Sequence, residues 1–117
     1  MAFKFESLRV WQMALDLSGE VHELCKRFPE SERFVLTSQM LRAVDSISLN
    51  IAEGSTGQST AEFKRFLGIA LRSAIEVVGC LFLGRKRRII EQDKFDYFYS
   101  QLTRLVKGIQ SLRSSLK

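Results

Sequence analysis

The chain has 117 residues, a length that suits one domain. It is 45% apolar with a single proline, which favours a packed core and argues against disorder. A formal charge of +5 and a pI near 9.6 allow an anionic partner such as nucleic acid without requiring one. No apolar run approaches the roughly 18 residues that a bilayer crossing needs, and the start, MAFKFESLRVW, lacks the layout of a signal peptide. A cytoplasmic protein without membrane contact is therefore expected.

Four segments carry helical periodicity and none alternates with period two. In the first, Val10, Ala14, Leu17, Val21, Leu24 and Phe28 recur by fours and threes until Pro29 ends the run. PESER then reads as a connector. In the second the line is Leu36, Met40, Ala43, Ile47, Asn50 and Gly54. The third follows Phe63, Leu67, Ala70, Ala74, Val77 and Leu81. The fourth follows Phe95, Phe98, Leu102, Leu105, Ile109, Leu112 and Leu116. The spacing predicts helices over about 7–28, 36–53, 60–86 and 92–115 in one domain, 1–117. Short connections make the expected fold all-α, an antiparallel up-down-up-down four-helix bundle. Second apolar lines, Leu8–Trp11–Leu15 and Leu71–Ile75–Val78–Phe82, exceed what a monomeric bundle hides and point to self-association.

Between the second and third helices lies NIAEGSTGQSTAEF, the one stretch rich in glycine and hydroxyl residues. Gly54 fits a left-handed residue just past a helix end. Ser59 and Glu62 form the S-x-x-E capping box that starts the next helix, leaving a loop of about Ser55–Gln58. A phosphate loop of the G-x-x-x-x-G-K-[ST] kind is excluded, because the lysine is missing and a helix precedes it. The free amides at the start of the third helix, with Lys64 and Arg65 close behind, remain a docking point for phosphate. Asn50 interrupts an apolar seam, which is costly unless its amide is bonded. It reads as a structural amide in preference to a ligand contact. Glu53 opposes the dipole of the helix it ends, so it calls for a cationic or amide partner.

These residues carry a family resemblance. LRVWQMALDL, FPESERFVLTSQMLRAVDSISLNIAEG and STAEFKRFLGIALRSAIEV resemble the bacterial four-helix-bundle proteins encoded in intervening sequences of 23S ribosomal RNA genes. That family is related to the accessory variability determinant proteins of diversity-generating retroelements. The resemblance spans nearly the whole chain. Its most specific parts are Phe28–Pro29, Gln39, Arg42–Ala43, Asn50–Gly54 and Glu62–Phe63. It implies a small basic homo-oligomer, a pentameric ring, without enzymatic activity. The implied partners are RNA or DNA and a reverse transcriptase. The sequence departs from the family pattern at Val35, Leu41, Ser48 and Gly57. Leu41 and Gly57 remove positive charge beside Arg42 and the loop.

The densest basic feature is Arg85-Lys86-Arg87-Arg88. Cations stabilise a helix C-terminus by about 0.3–1 kcal/mol each at low salt, but four exceed what a cap requires. Consecutive helical residues point about 100° apart, so the run is a collar. No aromatic residues interleave with it, so backbone contact without sequence preference is expected. Arg85–Arg88, with Lys64, Arg65 and Arg42, are the candidate nucleic-acid contacts, and reversing Arg87 and Arg88 to glutamate is the matching test. The alternative class is a protein-interaction scaffold, which the broad apolar lines favour equally. An enzyme is not expected. Cys25 and Cys80 lack metal-ligand spacing and read as buried thiols. The one histidine, His22, has no Glu-x-x-His motif, and Asp93 and Asp96 serve a helix N-terminus. No catalytic residue, metal site or cofactor is assigned.

Overall fold

Helices α1 (Arg9–Cys25), α2 (Ser38–Gly54), α3 (Thr60–Lys86) and α4 (Gln92–Ser115) make up the fold in this computed structural model, which describes residues 2–57 and 59–117. Among the described residues there is no strand. The helices alternate in direction as an up-down-up-down bundle, about 43 Å long and 22 Å across. That length matches the 27 residues of α3 at about 1.5 Å each. α3 packs along both α2 and α4, and α1 packs mainly on α2. Gln58, the expected last residue of the α2–α3 loop, lies outside the described residues.

The apolar seams form the core. Ala14, Val21, Met40, Ile47, Leu67, Ala70, Ala74, Val77, Leu81, Leu102 and Ile109 are fully buried. Each large aliphatic side chain so removed from water contributes about 1.5–3 kcal/mol. The helix boundaries differ from the periodicity in physically informative ways. α1 continues past Cys25 only through tightened bonds, from the amides of Arg27 to Leu24 O and Phe28 to Cys25 O, before Pro29 stops it. Its start is preceded by a 3₁₀ turn, Lys4–Ser7, whose Glu6 carboxylate accepts the Phe3 amide. This turn lays Phe5 against Trp11, with ring centroids 4.8 Å apart. The second apolar line of α1 is therefore largely covered from within the chain, and only Leu15 stays exposed. PESER forms a 3₁₀ turn at Glu30–Glu32, and a π-helical segment, Arg33–Thr37, leads into α2.

Three expectations need correction. Asn50 does not continue the α2 seam. After Ile47 the 3.6-residue repeat takes a step of four, and Ile51 is the fully buried residue. Asn50 is half-buried and donates to Ser46 O at 2.8 Å and to Ser46 Oγ at 2.9 Å. Ser46 Oγ also accepts from Ser73 Oγ of α3 at 2.8 Å, so the amide anchors a polar link between α2 and α3. Gly54 is the last helical residue of α2 and not a left-handed cap; the positive φ, 90°, belongs to Gly57. Gly54 is required because α3 crosses so close. A Cβ there would lie 2.6 Å from Phe66 Cβ and 3.0 Å from Phe63 Cδ1. Finally, α3 does contain an 18-residue window of mean hydropathy 1.9, long and apolar enough to cross a bilayer by length and composition. Arg72 and Glu76 break the unbroken runs of α3 without lowering the mean much. The inward side of the helix is occupied by the bundle core, and Glu76 Oε2 accepts from Gln39 of α2 at 3.3 Å.

Candidate nucleic-acid interface

The bundle has two poles. One gathers the α2–α3 loop, the first residues of α1 and the end of α4. The other gathers the end of α1, the segment Pro29–Thr37, the end of α3 and the start of α4. The candidate cations divide between them. Lys64 and Arg65 begin α3, whereas Arg85 lies about 30 Å further along the same helix. Arg42 stands exposed on the side of α2. The fold therefore does not bring the candidates into one site.

At the loop pole the charges are locally engaged. Ser59 Oγ accepts the Glu62 amide at 3.0 Å, which caps α3. The Glu62 carboxylate does not complete the reciprocal half of the box; it pairs with Arg65 at 3.3 Å. The Arg65 guanidinium also lies 4.7 Å from the centroid of the Phe66 ring. The Lys64 carbonyl accepts Arg113 Nε at 2.8 Å, which ties α4 to α3. Glu53 is exposed, and no described residue bonds its carboxylate.

The opposite pole is where the basic collar sits. α3 ends in a Schellman motif: the Ile89 amide reaches Gly84 O at 2.8 Å and the Arg88 amide reaches Arg85 O at 3.0 Å. The motif needs a left-handed residue, and Arg88 supplies it with φ 60°. For a residue with a Cβ that conformation costs about 1–2 kcal/mol. Gly84 lets Ile90 pack directly on its backbone, where a Cβ would collide with Ile90 Cδ1. The four cations then separate into two kinds. Arg85 donates to Gln92 Oε1 at 2.9 Å and to Ile90 O at 3.0 Å, holding the α3–α4 connection. Arg87 donates to Glu32 Oε1 at 3.0 Å, and the same carboxylate oxygen accepts the Leu36 amide at 3.4 Å. Lys86 and Arg88 are exposed, and no described residue forms an ion pair with them. Arg87→Glu would set two carboxylates together at the entry to α2, so charge removal is better placed at Lys86 and Arg88. Around this pole Lys26, Arg27, Arg33, Arg85–Arg88 and Lys94 stand against Glu23, Glu30, Glu32, Glu91, Asp93 and Asp96. The pole therefore keeps a small surplus of cations, which lies on the run Arg85–Arg88.

Two other groupings have chemistry worth weighing. Ser18 Oγ donates to Asp45 Oδ1 at 2.6 Å, and His22 Nε2 lies 3.0 Å from the same oxygen. Nucleophilic catalysis needs the histidine between serine and carboxylate. Here the carboxylate is in the middle, so the trio joins α1 to α2 and does not activate Ser18. Sequence spacing alone did not reveal this pairing, because Asp45 comes from another helix. Across the α1–α4 groove, the Tyr97 hydroxyl donates to the Glu20 carboxylate. This bond, then desolvation and the charge of Glu20, raises the phenol above its ordinary value of 10.0. The neutral phenol is thus favoured in the fold. Its linked stability is present below pH about 10 and lost as pH rises through the elevated folded value. Alkaline titration of phenolate absorbance should show a late component that disappears in Tyr97→Phe.

The thiols are buried as expected. Burial, with nearby Cys80 adding to it, pushes the Cys25 thiol up to about 12. The thiolate is the reactive form, so Cys25 should resist a thiol reagent at neutral pH and react only on unfolding. Labelling followed by mass spectrometry of the modified peptide checks this. No group of three or more metal-ligating side chains is assembled among the described residues.

The fold and poles define a small all-α bundle with basic ends. A model of the 23S rRNA-intervening sequence protein family matches residues 6–111, and the chain belongs to that family. Among solved structures it is similar to a protein of unknown function from the S23 ribosomal protein family of Bacteroides thetaiotaomicron VPI-5482. The two are 28% identical, with a TM-score of 0.85 over 91% of this chain and 96% of the other. No curated protein matches the chain.

Proposed function

We propose that this protein is a non-enzymatic, self-associating helical bundle that holds nucleic acid by its backbone at the basic pole. The observation that carries the reading is the surplus of cations around the end of α3, with Lys86 and Arg88 exposed. Such a surface attracts phosphates whatever their sequence. Membership in a family described by ribosomal RNA intervening sequences supports RNA as the partner. A reverse transcriptase is the further partner suggested by the resemblance to retroelement accessory proteins. A cytoplasmic location belongs to the same reading.

Self-association rests on the outer face of α3. Ile75 is 61% exposed and Phe82 55%, and exposed Gly79 lies between them with open space around its backbone. Phe82 makes an edge contact with Phe95 at 5.0 Å, and Phe95 stacks on the exposed Tyr99 at 5.7 Å. The apolar surface thus continues onto α4. In a ring, here proposed as a pentamer, the basic poles would repeat and weak phosphate contacts would add. The same face favours the second reading, a protein-interaction scaffold with no nucleic-acid role. A gel shift with random-sequence RNA and DNA at low salt separates the two, and sedimentation reads the assembly. Binding that weakens as salt rises supports the first reading, and no shift at low salt leaves the scaffold. A species of one chain's mass, 13.4 kDa, at working concentration would exclude the ring.

A further inference from the structure

Phe34 is the most exposed large apolar side chain among the described residues, at 84%. It lies in the π-helical segment Arg33–Thr37. Widened helical turns of this kind occur frequently at functional sites. Here the segment keeps Leu36 fully buried while leaving both Phe34 and Val35 in solvent. It also leaves Thr37 Oγ1 buried without a hydrogen-bond partner among the described residues. Core packing accounts for Leu36 but not for the outward ring.

The surroundings of the ring are those of a base-stacking platform. The Arg33 guanidinium lies 5.2 Å from its centroid, a cation on an aromatic face. The Arg87–Glu32 bond fastens the collar two residues before Phe34, so the ring belongs to the pole that carries the exposed Lys86 and Arg88. Glu30, 3.6 Å from Arg33, and Glu32, 3.0 Å from Arg87, each offset one cation and leave Lys86 and Arg88 without an ion-pair partner among the described residues. We infer that this pole takes an unpaired nucleic-acid strand, with Phe34 stacking on a base and the collar cations holding the adjoining phosphates. The inference rests on the nucleic-acid reading above and narrows it. A duplex keeps its bases stacked on each other and offers the ring nothing, whereas every unpaired base has a face to give. The sequence pattern hid this platform, because Phe34 and the collar are separated by about fifty residues and meet only through the fold.

The test is fluorescence anisotropy with a single-stranded RNA of about 12 nucleotides, within the usual site size for such surfaces, and with an RNA duplex of equal length. Phe34→Ala is expected to weaken strand binding by about 5- to 150-fold, the range for loss of one stacked base, and to leave duplex binding unchanged. Phe34→Trp should restore the strand affinity. Lys86→Gln with Arg88→Gly should weaken both. If Phe34→Ala changes neither affinity while the cation variant weakens both, stacking is overturned and backbone binding stands. Equal loss on strand and duplex also overturns it. Absence of binding by the unaltered protein removes both readings. A shift in sedimentation of Phe34→Ala would assign the ring to contact between copies and overturn the strand site.

Discussion

Truncating Ile51 to alanine is expected to lower the free energy of unfolding by about 2–5 kcal/mol, the usual range for emptying a buried aliphatic site. Asn50→Ala, one residue away, is expected to cost only about 0.5–1.5 kcal/mol, the worth of an ordinary hydrogen bond. The contrast follows from the step of four after Ile47, which gives the core position to Ile51 and leaves Asn50 bonded to Ser46 at its edge. Chemical denaturation at matched protomer concentration reads both, because self-association adds a concentration-dependent term. A larger loss for Asn50→Ala would return the amide to the seam.

Gly54→Ala is the second large effect. Alanine ordinarily gains up to about 1 kcal/mol over glycine inside a helix. At Gly54 the new Cβ meets Phe66 Cβ, close to the α3 backbone, and the ring of buried Phe63. Neither gives way without moving α3. Overpacking of this kind costs about 1–3 kcal/mol, so the net change should be a loss. Gly19→Ala is the control. Gly19 is exposed in the interior of α1 with nothing near its backbone, and the substitution should stabilise. A lower melting temperature at Gly54 and a higher one at Gly19 are expected; stabilisation at both would show that the crossing of α2 and α3 is looser than described.

The comparison of these positions shows what the sequence makes legible. The seams from Val10 to Leu24 and from Phe98 to Ile109 could be read from spacing, because a bundle core is a local periodic property. The α2 seam could be followed only to Ile47. A heptad count and a 3.6-residue count diverge there, and contact with α3 decides between them. Gly54 could be recognised as a boundary, but the reason for glycine lies in Phe66, on another helix. The collar showed the same limit. Its charge was visible, while the engagement of Arg85 by Gln92 and of Arg87 by Glu32 depends on tertiary contact. The exposure of Phe34 was equally out of reach, since a phenylalanine beside Val35 and Leu36 looks like core material.

The most direct measurement of the central claim is the salt dependence of RNA binding by the unaltered protein and by Lys86→Gln with Arg88→Gly. The pair leaves the Arg85 and Arg87 bonds untouched. Glycine also relieves the left-handed position of Arg88, so stability should stay at or above that of the unaltered protein. Each phosphate neutralised on a single strand contributes a slope of about −0.7 in log affinity against log salt, so removing two contacts should flatten it by about 1.4. A steep slope that flattens in the variant is the predicted result. Salt-independent binding, or a slope identical in both proteins, would contradict an interface at this pole.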